Sequence, residues 1–275
     1  MKIAIIGCGY VGTAVAKQWR QLGHELTVTT TTPDKVPQLA DVAPCVKVVM
    51  GNDVESLQEI CDGQDVVLLS VGSKGRTEDK YRFSYVQTAL NLKQALENNS
   101  TVKQVIYTSS YSIVGNHDGD WVNETTIDRP ATIFAEILKE TEGILESIAT
   151  DDRHVCILRL GGIYGVNREI LKIFSRTMGK TLTGEGLEYG NWVHLDDIVA
   201  GIIFAQRQNL SGLFNLVGDE PMQRKTMLQK LADKYDLPPV IWDASQPSNR
   251  VFNVRVSNQK IKSMGFTFKY PVIEL

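Results

Sequence analysis

Residues 1–160 alternate between short aliphatic runs and amphipathic stretches, and this alternation limits the fold more than any other feature. The aliphatic runs predict strands at Ile3–Ile6, Glu25–Thr31, Val46–Met50, Asp65–Ser70, Val102–Ser109 and His154–Leu160. The amphipathic stretches predict helices at Val11–Leu22, Ser56–Cys61, Tyr81–Asn98 and Ile133–Ala149. Strands that alternate with helices are joined by right-handed crossovers, so we expect an α/β fold with a doubly wound, mostly parallel sheet and helices on both faces.

The alternation loosens after Gly161. Helices are predicted at Glu169–Met178 and Thr226–Tyr235, with a strand at Gly212–Val217 between them. We therefore expect a core in residues 1–160 and a mixed region in residues 161–275. That mixed region would contribute late core elements at about 191–217 and a small C-terminal cap on the substrate side.

Composition excludes several classes of partner. A formal net charge of −3 argues against nucleic acid, because phosphate binding normally needs a basic excess. No apolar run approaches the ~20 residues that span a bilayer, so we expect no membrane partner. The four cysteines are scattered without a C-x-x-C pair and the four histidines lie far apart, which predicts a cytoplasmic protein with reduced thiols and no metal site.

A glycine-rich turn follows the first predicted strand. Its sequence, Gly7-Cys8-Gly9-Tyr10-Val11-Gly12, matches G-x-G-x-x-G between a strand and a helix, the context in which a Rossmann fold binds a dinucleotide. In that context Gly7 permits the tight turn, Gly9 lets a phosphate approach the backbone, and Gly12 lets the helix pack against the strand. The exposed N–H groups at the helix start, including those of Tyr10 and Val11, attract an anion. The alternative is a glycine turn without a ligand.

The end of the second predicted strand bears on which dinucleotide is bound. NAD-specific sites normally carry an acidic residue there, about 20 residues past the glycines, to bind the ribose 2′-hydroxyl. This chain has Thr30, Thr31 and Thr32, with Lys35 shortly after and no arginine in the segment. Threonine hydroxyls and a lysine can accept a 2′-phosphate that a carboxylate would repel. We therefore predict NADP as the cofactor and keep NAD open.

Together with the glycine turn, five further segments resemble the short-chain dehydrogenase/reductase superfamily, in its extended or atypical branch of NAD-dependent epimerase/dehydratase-like proteins. The segments occur in the family's order at Ile106–Gly115, Leu158–Gly165, Asn191–Val199, Phe214–Gly218 and, in the tail, Lys262–Phe266. The resemblance spans nearly the whole chain. It implies that the backbone of Ser70, Val71 and Gly72 lies beside the cofactor ribose.

The family's chemistry is hydride transfer assisted by a serine and by a tyrosine and a lysine spaced Y-x-x-x-K. That spacing puts both side chains on one helix face, where the lysine lowers the pKa of the phenol. The resemblance places Ser110 at the serine position and, aligned on Glu142, Phe134 at the tyrosine position and Leu138 at the lysine position. A shift of one residue gives Ala135 and Lys139 instead, which recovers the lysine but no tyrosine. None of the nine tyrosines is followed four residues later by lysine, so the usual dyad is absent.

The remaining polar groups at the end of the fifth predicted strand are candidates for chemistry. Ser110 is predicted to hydrogen-bond a substrate carbonyl or the nicotinamide ribose, Tyr111 to supply a substitute hydroxyl, and Ser109 to contact the cofactor. The alternative is that these are turn residues bonded to their own backbone. Arg159 is either an anchor for a substrate carboxylate or a charge at a strand end.

Two functions remain open on these observations. The first is an NAD(P)-dependent oxidoreductase or epimerase/dehydratase-like enzyme that acts on a small carbonyl or nucleotide-sugar-like substrate with a non-standard proton donor. The second is a catalytically silent NADP-binding sensor or scaffold. We favour the enzyme, because Tyr111, Ser110, water or the substrate itself can supply the proton. The family often forms dimers, so a homodimer stays open.

Overall fold

The computed structural model describes residues 1–275. The strands are β1 Lys2–Ile6, β2 Glu25–Thr30, β3 Cys45–Val48, β4 Val66–Leu69, β5 Gln104–Ser110, β6 Trp121–Val122, β7 His154–Leu160, β8 Gly162–Tyr164, β9 Thr181–Thr183, β10 Tyr189–Gly190, β11 Trp192–His194, β12 Gly212–Leu216, β13 Met222–Gln223, β14 Ile241–Asp243 and β15 Arg255–Val256. The helices are α1 Tyr10–Gln21, α2 Val36–Ala40, α3 Val54–Cys61, α4 Glu78–Tyr81, α5 Thr88–Leu96, α6 Ile133–Glu146, α7 Ile170–Phe174, α8 Leu195–Arg207, α9 Arg224–Tyr235 and α10 Gln259–Ser263.

Seven strands form one parallel sheet in the order β12-β7-β5-β4-β1-β2-β3. From β1 the chain builds outward to β2 and β3 on one side, and then to β4, β5 and β7 on the other. The strand order therefore reverses beside β1, and the carboxyl ends of β1, β2 and β4 border the crevice in which open α/β sheets bind ligands.

Side chains of successive β1 residues point to opposite faces of the sheet, and each face is covered by helices. Ala4 and Ile6 belong to a buried cluster with residues of α3, α5 and α6. Ile5 points the other way, towards α1, where a Cβ built on Gly12 would lie 3.4 Å from its side chain. On β5, the Gln104 side-chain amide donates to the Ala205 carbonyl of α8. The predicted doubly wound α/β architecture is confirmed.

The region predicted as one helix, Tyr81–Asn98, is not a single α-helix. It begins earlier, with α4, continues through a π-helical segment at Arg82–Gln87, and ends as α5. A π-helical turn holds one more residue than an α-helical turn, which hydrophobic spacing does not reveal. Other predicted boundaries differ from the observed ones by a few residues. The strand predicted at Val46–Met50, for example, lies at Cys45–Val48 in the structure.

The chain divides into two compact units. Unit 1 comprises residues 1–110, 133–159 and 199–214, and unit 2 comprises residues 111–132, 160–198 and 215–275. Residues 111–132, which the sequence assigned to the core, thus belong to unit 2, while residues 199–214 return to unit 1. Unit 2 has its own apolar clusters, one around Tyr111 and Val254 and one around Tyr164 and Leu231. No helix combines the length and apolar composition that crossing a bilayer requires.

Candidate functional site

A cavity of about 290 Å³ lies in unit 1 at the carboxyl ends of β1, β2 and β4. Nine residues predicted to bind the cofactor line it: Gly7, Gly9, Thr30, Thr31, Thr32, Lys35, Ser70, Val71 and Gly72. Three separate stretches of sequence thus meet at one place. They are the stretches that the strand order brings to the crevice beside β1.

The glycine turn packs tightly on one side and is open on the other. Gly7 has φ +92°, and a Cβ there would lie 2.6 Å from the Ser70 carbonyl oxygen, so only glycine fits. The Gly7 N–H donates to Thr29 Oγ1 (3.0 Å). By contrast, a Cβ on Gly9 would meet nothing within 4 Å. Gly9 therefore leaves a space at the start of α1, and its backbone can approach a diphosphate.

Two lysines give this cavity a positive edge. Lys35 lines it from the segment after β2, and Lys74 lines it from the loop after β4. The Lys74 ammonium donates to Thr32 Oγ1 (2.8 Å) and to the Thr31 carbonyl (3.5 Å). No aspartate or glutamate is among the lining residues. The hydroxyl-rich end of β2 is thus flanked by cations and suits a phosphate.

The other three predicted residues of the glycine turn lie on α1 and do not line the cavity. Val11 and Gly12 are buried, and Tyr10 is 37% exposed. A Cβ on Gly12 would lie 2.7 Å from the Gly7 carbonyl oxygen, so close packing of helix and strand depends on this glycine. Their predicted contact with the cofactor through backbone N–H groups stays a prediction.

Ser109 is also outside the cavity lining, because its side chain belongs to a buried polar cluster. Its hydroxyl donates to Glu142 Oε1 on α6 (2.5 Å), and Glu142 also pairs with Arg159 (Oε2 to Nη2, 2.6 Å). Arg159, one alternative for a substrate-carboxylate anchor, therefore binds a carboxylate of its own chain. Burial raises the pKa of the neighbouring Tyr107 phenol, and the negative Glu142 adds to the effect.

The two predicted catalytic residues occupy different surroundings. Ser110 ends β5 in unit 1 and is partly exposed. Tyr111 begins a short 3₁₀ turn in unit 2, where the residue is 9% exposed and its ring packs edge-on against Phe252 (5.8 Å between centroids). The Tyr111 ring thus contributes to an apolar cluster, and its role in proton transfer stays a prediction.

The segment that the resemblance aligns with the missing dyad begins α6. Phe134 is partly exposed and Leu138 is buried. The Phe134 ring contacts Tyr81 (4.6 Å between centroids) and has the Arg76 guanidinium over it (5.3 Å). Phe134 therefore contacts the Tyr81 ring and the Arg76 guanidinium, and the spacing of these residues in the sequence does not reveal either contact.

Other cavity residues escaped the sequence reasoning. Lys74 lies in a loop whose sequence has no periodic pattern, four residues after Ser70, which was predicted to lie beside the cofactor ribose. Phe83, Ser84 and Thr88 lie on or just after the π-helical segment, whose register was missed. The remaining residues are Ile6, Cys8, Thr29, Val49, Gly51 and Ser73. Burial raises the pKa of the Cys8 thiol, so this cavity-lining cysteine is protonated at neutral pH.

The parallel sheet with a cavity at the reversal of strand order defines a Rossmann-type α/β protein. More specifically, the chain belongs to the NAD dependent epimerase/dehydratase family, whose model matches residues 3–216. The resemblance drawn from the sequence is thereby confirmed for the family.

Similar proteins cover almost the whole chain. Protein YeeZ of Escherichia coli K12 is 26% identical over 280 residues, which cover 98% of this chain and 96% of YeeZ. Among solved structures, a short-chain dehydrogenase/reductase superfamily protein from Agrobacterium tumefaciens with bound NAD superposes with a TM-score of 0.81 at 19% identity (98% and 93% of the two chains). UDP-glucose 4-epimerase of Thermotoga maritima with UDP-glucose gives 0.80 at 20% identity (98% and 94%). At such identities the superpositions establish the fold.

Proposed function

We propose that the chain binds NADP in the cavity beside β1 and acts as an oxidoreductase or epimerase/dehydratase-like enzyme on a small carbonyl or nucleotide-sugar-like compound. The family to which the chain belongs supports a nicotinamide dinucleotide as cofactor. The similar protein with bound NAD supports the same cofactor class, and the similar epimerase with UDP-glucose supports a nucleotide-sugar-like substrate.

One observation carries the preference for NADP over NAD: the Lys74 ammonium bonds to Thr32 at the end of β2. In NAD-specific Rossmann sites an acidic residue in this region binds the ribose 2′-hydroxyl. Here a hydroxyl and two lysines, Lys74 and Lys35, border the cavity instead. A 2′-phosphate would replace the Thr32 hydroxyl as the partner of Lys74 and gain a charge-assisted hydrogen bond.

The glycine turn would hold the diphosphate of the cofactor. Gly9 presents its backbone to open space, and no acidic residue lies in the first turn of α1 to repel the anion. When bound, the nicotinamide ring supplies or accepts the hydride. Ser110 at the end of β5 would hydrogen-bond the substrate carbonyl, as the resemblance implies.

A catalytically silent NADP-binding sensor or scaffold is the second candidate. The observation in its favour is the apolar pair at the dyad positions, Phe134 and Leu138, neither of which can transfer a proton. This function requires the same cofactor cavity, so reduction of a carbonyl substrate separates the two candidates.

Calorimetric titration with NADPH and NADH tests the cofactor assignment. We expect the wild-type protein to bind NADPH more tightly than NADH. Lys74→Ala is expected to weaken NADPH binding about tenfold, equivalent to about 1.4 kcal/mol, because one charged contact to the 2′-phosphate is lost. NADH binding should change little, because NADH lacks that phosphate.

Lys17→Ala is the matched control, because Lys17 is exposed on α1 and is not among the cavity-lining residues. It removes the same charge and should leave both affinities unchanged. Equal affinity of the wild-type protein for NADPH and NADH would refute the NADP preference. Absence of binding by either would refute the assignment of the cavity.

A further inference from the structure

The aromatic cluster at the start of α6 contains phenols that could replace the missing tyrosine. The Tyr81 ring lies 4.6 Å from the Phe134 ring and 5.2 Å from the Tyr85 ring, measured between centroids. Tyr81 contacts Phe134 directly and is half-buried. Of the two phenols, Tyr81 is thus the one in ring contact with the position where the family carries its proton donor.

An exposed ion pair beside Tyr81 also joins this stretch to α6. The next residue, Arg82, donates to Glu78 Oε1 on α4 (3.1 Å) and to Glu140 Oε2 on α6 (2.9 Å). The contact to Glu78 lies within the same helical stretch, so only the contact to Glu140 reaches α6, and an exposed pair of this kind contributes little to stability. It joins the two stretches one residue after the ring contact between Tyr81 and Phe134.

A cation belongs to the same cluster. The Arg76 guanidinium lies 5.3 Å from the centroid of the Phe134 ring, whose other close contact is Tyr81. In the usual dyad a lysine ammonium stabilises the phenolate that remains after proton transfer. Arg76 brings a permanent positive charge to this cluster, against the Phe134 ring.

Resting on the proposed function, we propose that Tyr81 is the proton donor that replaces the tyrosine absent from α6. In the reductive direction a hydride from NADPH adds to the carbonyl carbon of the substrate. The carbonyl π electrons then form an O–H bond with the Tyr81 proton. The products are an alcohol and NADP⁺, and the Tyr81 phenolate recovers its proton from water.

Tyr85 has a different environment that suits packing. Burial raises the pKa of its phenol, and the Ser73 backbone N–H donates to the phenol oxygen. Tyr85 follows Tyr81 by four residues within the π-helical segment. It is therefore the appropriate comparison for Tyr81, because it is a neighbouring phenol with its oxygen already bonded inside the unit.

Nitration by tetranitromethane tests the position of the Tyr81 ring without a substrate. If Tyr81 lies at the nicotinamide end of the site, NADPH should slow its nitration at least about fivefold. The fragment 2′,5′-ADP fills only the adenosine half and should leave the rate within about twofold. Peptide mass spectrometry gives the extent at each tyrosine, and Tyr235, 41% exposed on α9, is the internal control.

The two proposals fail in distinguishable ways. If NADPH and 2′,5′-ADP both bind but neither changes the nitration of Tyr81, the cofactor site stands and the role of Tyr81 is refuted. If neither compound binds, both proposals are refuted. Equal protection by both compounds would place Tyr81 near the adenosine half and also overturn its proposed role.

Substitution gives a second readout. With a carbonyl that the wild-type protein reduces, Tyr81→Phe is expected to lower kcat by about 10² or more, because it removes a general acid. The affinity for NADPH should stay within about twofold, since the ring and its packing are kept. Tyr85→Phe should lower kcat less than about tenfold. A Tyr81→Phe protein with wild-type kcat, or a larger loss in Tyr85→Phe, would overturn the proposal.

Discussion

The cavity beside β1 and the start of α6 belong to the same unit but are built from different parts of the chain. The cavity is formed largely by backbone: Gly7 turns against Ser70, and Gly9 leaves the start of α1 open. The start of α6 is formed by side chains, with the Phe134 ring against Tyr81 and under the Arg76 guanidinium.

This difference explains why one region keeps its family pattern and the other does not. A site built from backbone needs glycine at a few positions, and that requirement is visible in the sequence. A site built from side chains can exchange one donor for another from a different helix. On our proposal, the Y-x-x-x-K spacing is lost and the Tyr81 phenol takes the place of the missing one.

The largest expected effect concerns the buried polar cluster behind α6. Glu142→Leu leaves the Arg159 guanidinium, 3% exposed, without its carboxylate. We expect the free energy of unfolding to fall by about 3–5 kcal/mol, because the buried guanidinium loses its ion-pair partner. Urea unfolding measures the loss.

Two further variants test whether burial of the charge is the cause. The double variant Glu142→Leu/Arg159→Met should recover most of the loss, since it removes both charges. Glu140→Gln on the same helix breaks an exposed pair and should cost less than about 1 kcal/mol. Equal losses in Glu142→Leu and Glu140→Gln would contradict a dominant role for the buried pair.

A smaller effect is expected at the glycine turn. Without NADPH, the Gly9→Val protein should melt at the wild-type temperature. It should lose the stabilisation that NADPH gives the wild-type protein, which amounts to about 2.7 kcal/mol of unfolding free energy at about 100 times the Kd. The valine side chain would fill the open space that we assign to the diphosphate.

Gly12→Val is the matched comparison, because its Cβ would lie 2.7 Å from the Gly7 carbonyl oxygen. It should destabilise the free protein by about 1–3 kcal/mol through overpacking. Thermal unfolding with and without NADPH separates the two outcomes. A Gly9→Val protein that NADPH still stabilises would show that the turn does not hold the cofactor.

The smallest expected effect is a pH dependence from the Tyr107 phenol. Burial raises its pKa above 10.0 in the folded chain. Below about pH 10 both states keep this proton and the phenol has no effect on stability. As pH rises further, the unfolded chain loses the proton that the folded chain retains, so the free energy of unfolding falls by up to about 1.4 kcal/mol per pH unit.

Tyr107→Phe should therefore show a shallower loss of stability between about pH 9 and about pH 11 than the wild-type protein. Chemical unfolding across that range measures the slope for each protein. Parallel slopes would mean that Tyr107 ionises equally in the folded and unfolded chains.

Sequence reasoning succeeded where local patterns reflect the backbone. The bounds of β7, His154–Leu160, were predicted in full. Nine of the residues predicted to bind a cofactor line one cavity, and their contact with a cofactor stays a prediction. It missed contacts that depend on tertiary packing. Lys74 bonds to Thr32 across a separation of 42 residues, and Glu142 meets both Ser109 and Arg159. Nothing in their local sequence indicates these partners.

The π-helical segment at Arg82–Gln87 holds one residue more per turn than an α-helix would. Deleting one residue from it would let the segment become α-helical while Tyr81 keeps nearly the same orientation relative to α5, so the ring contact with Phe134 would survive. Deleting one residue from α5 has no such surplus to absorb it, and because an α-helix turns by about 100° per residue, Tyr81 would rotate by about that angle relative to the end of α5. Whether the shortened chain keeps its aromatic cluster thus depends on where the residue is lost.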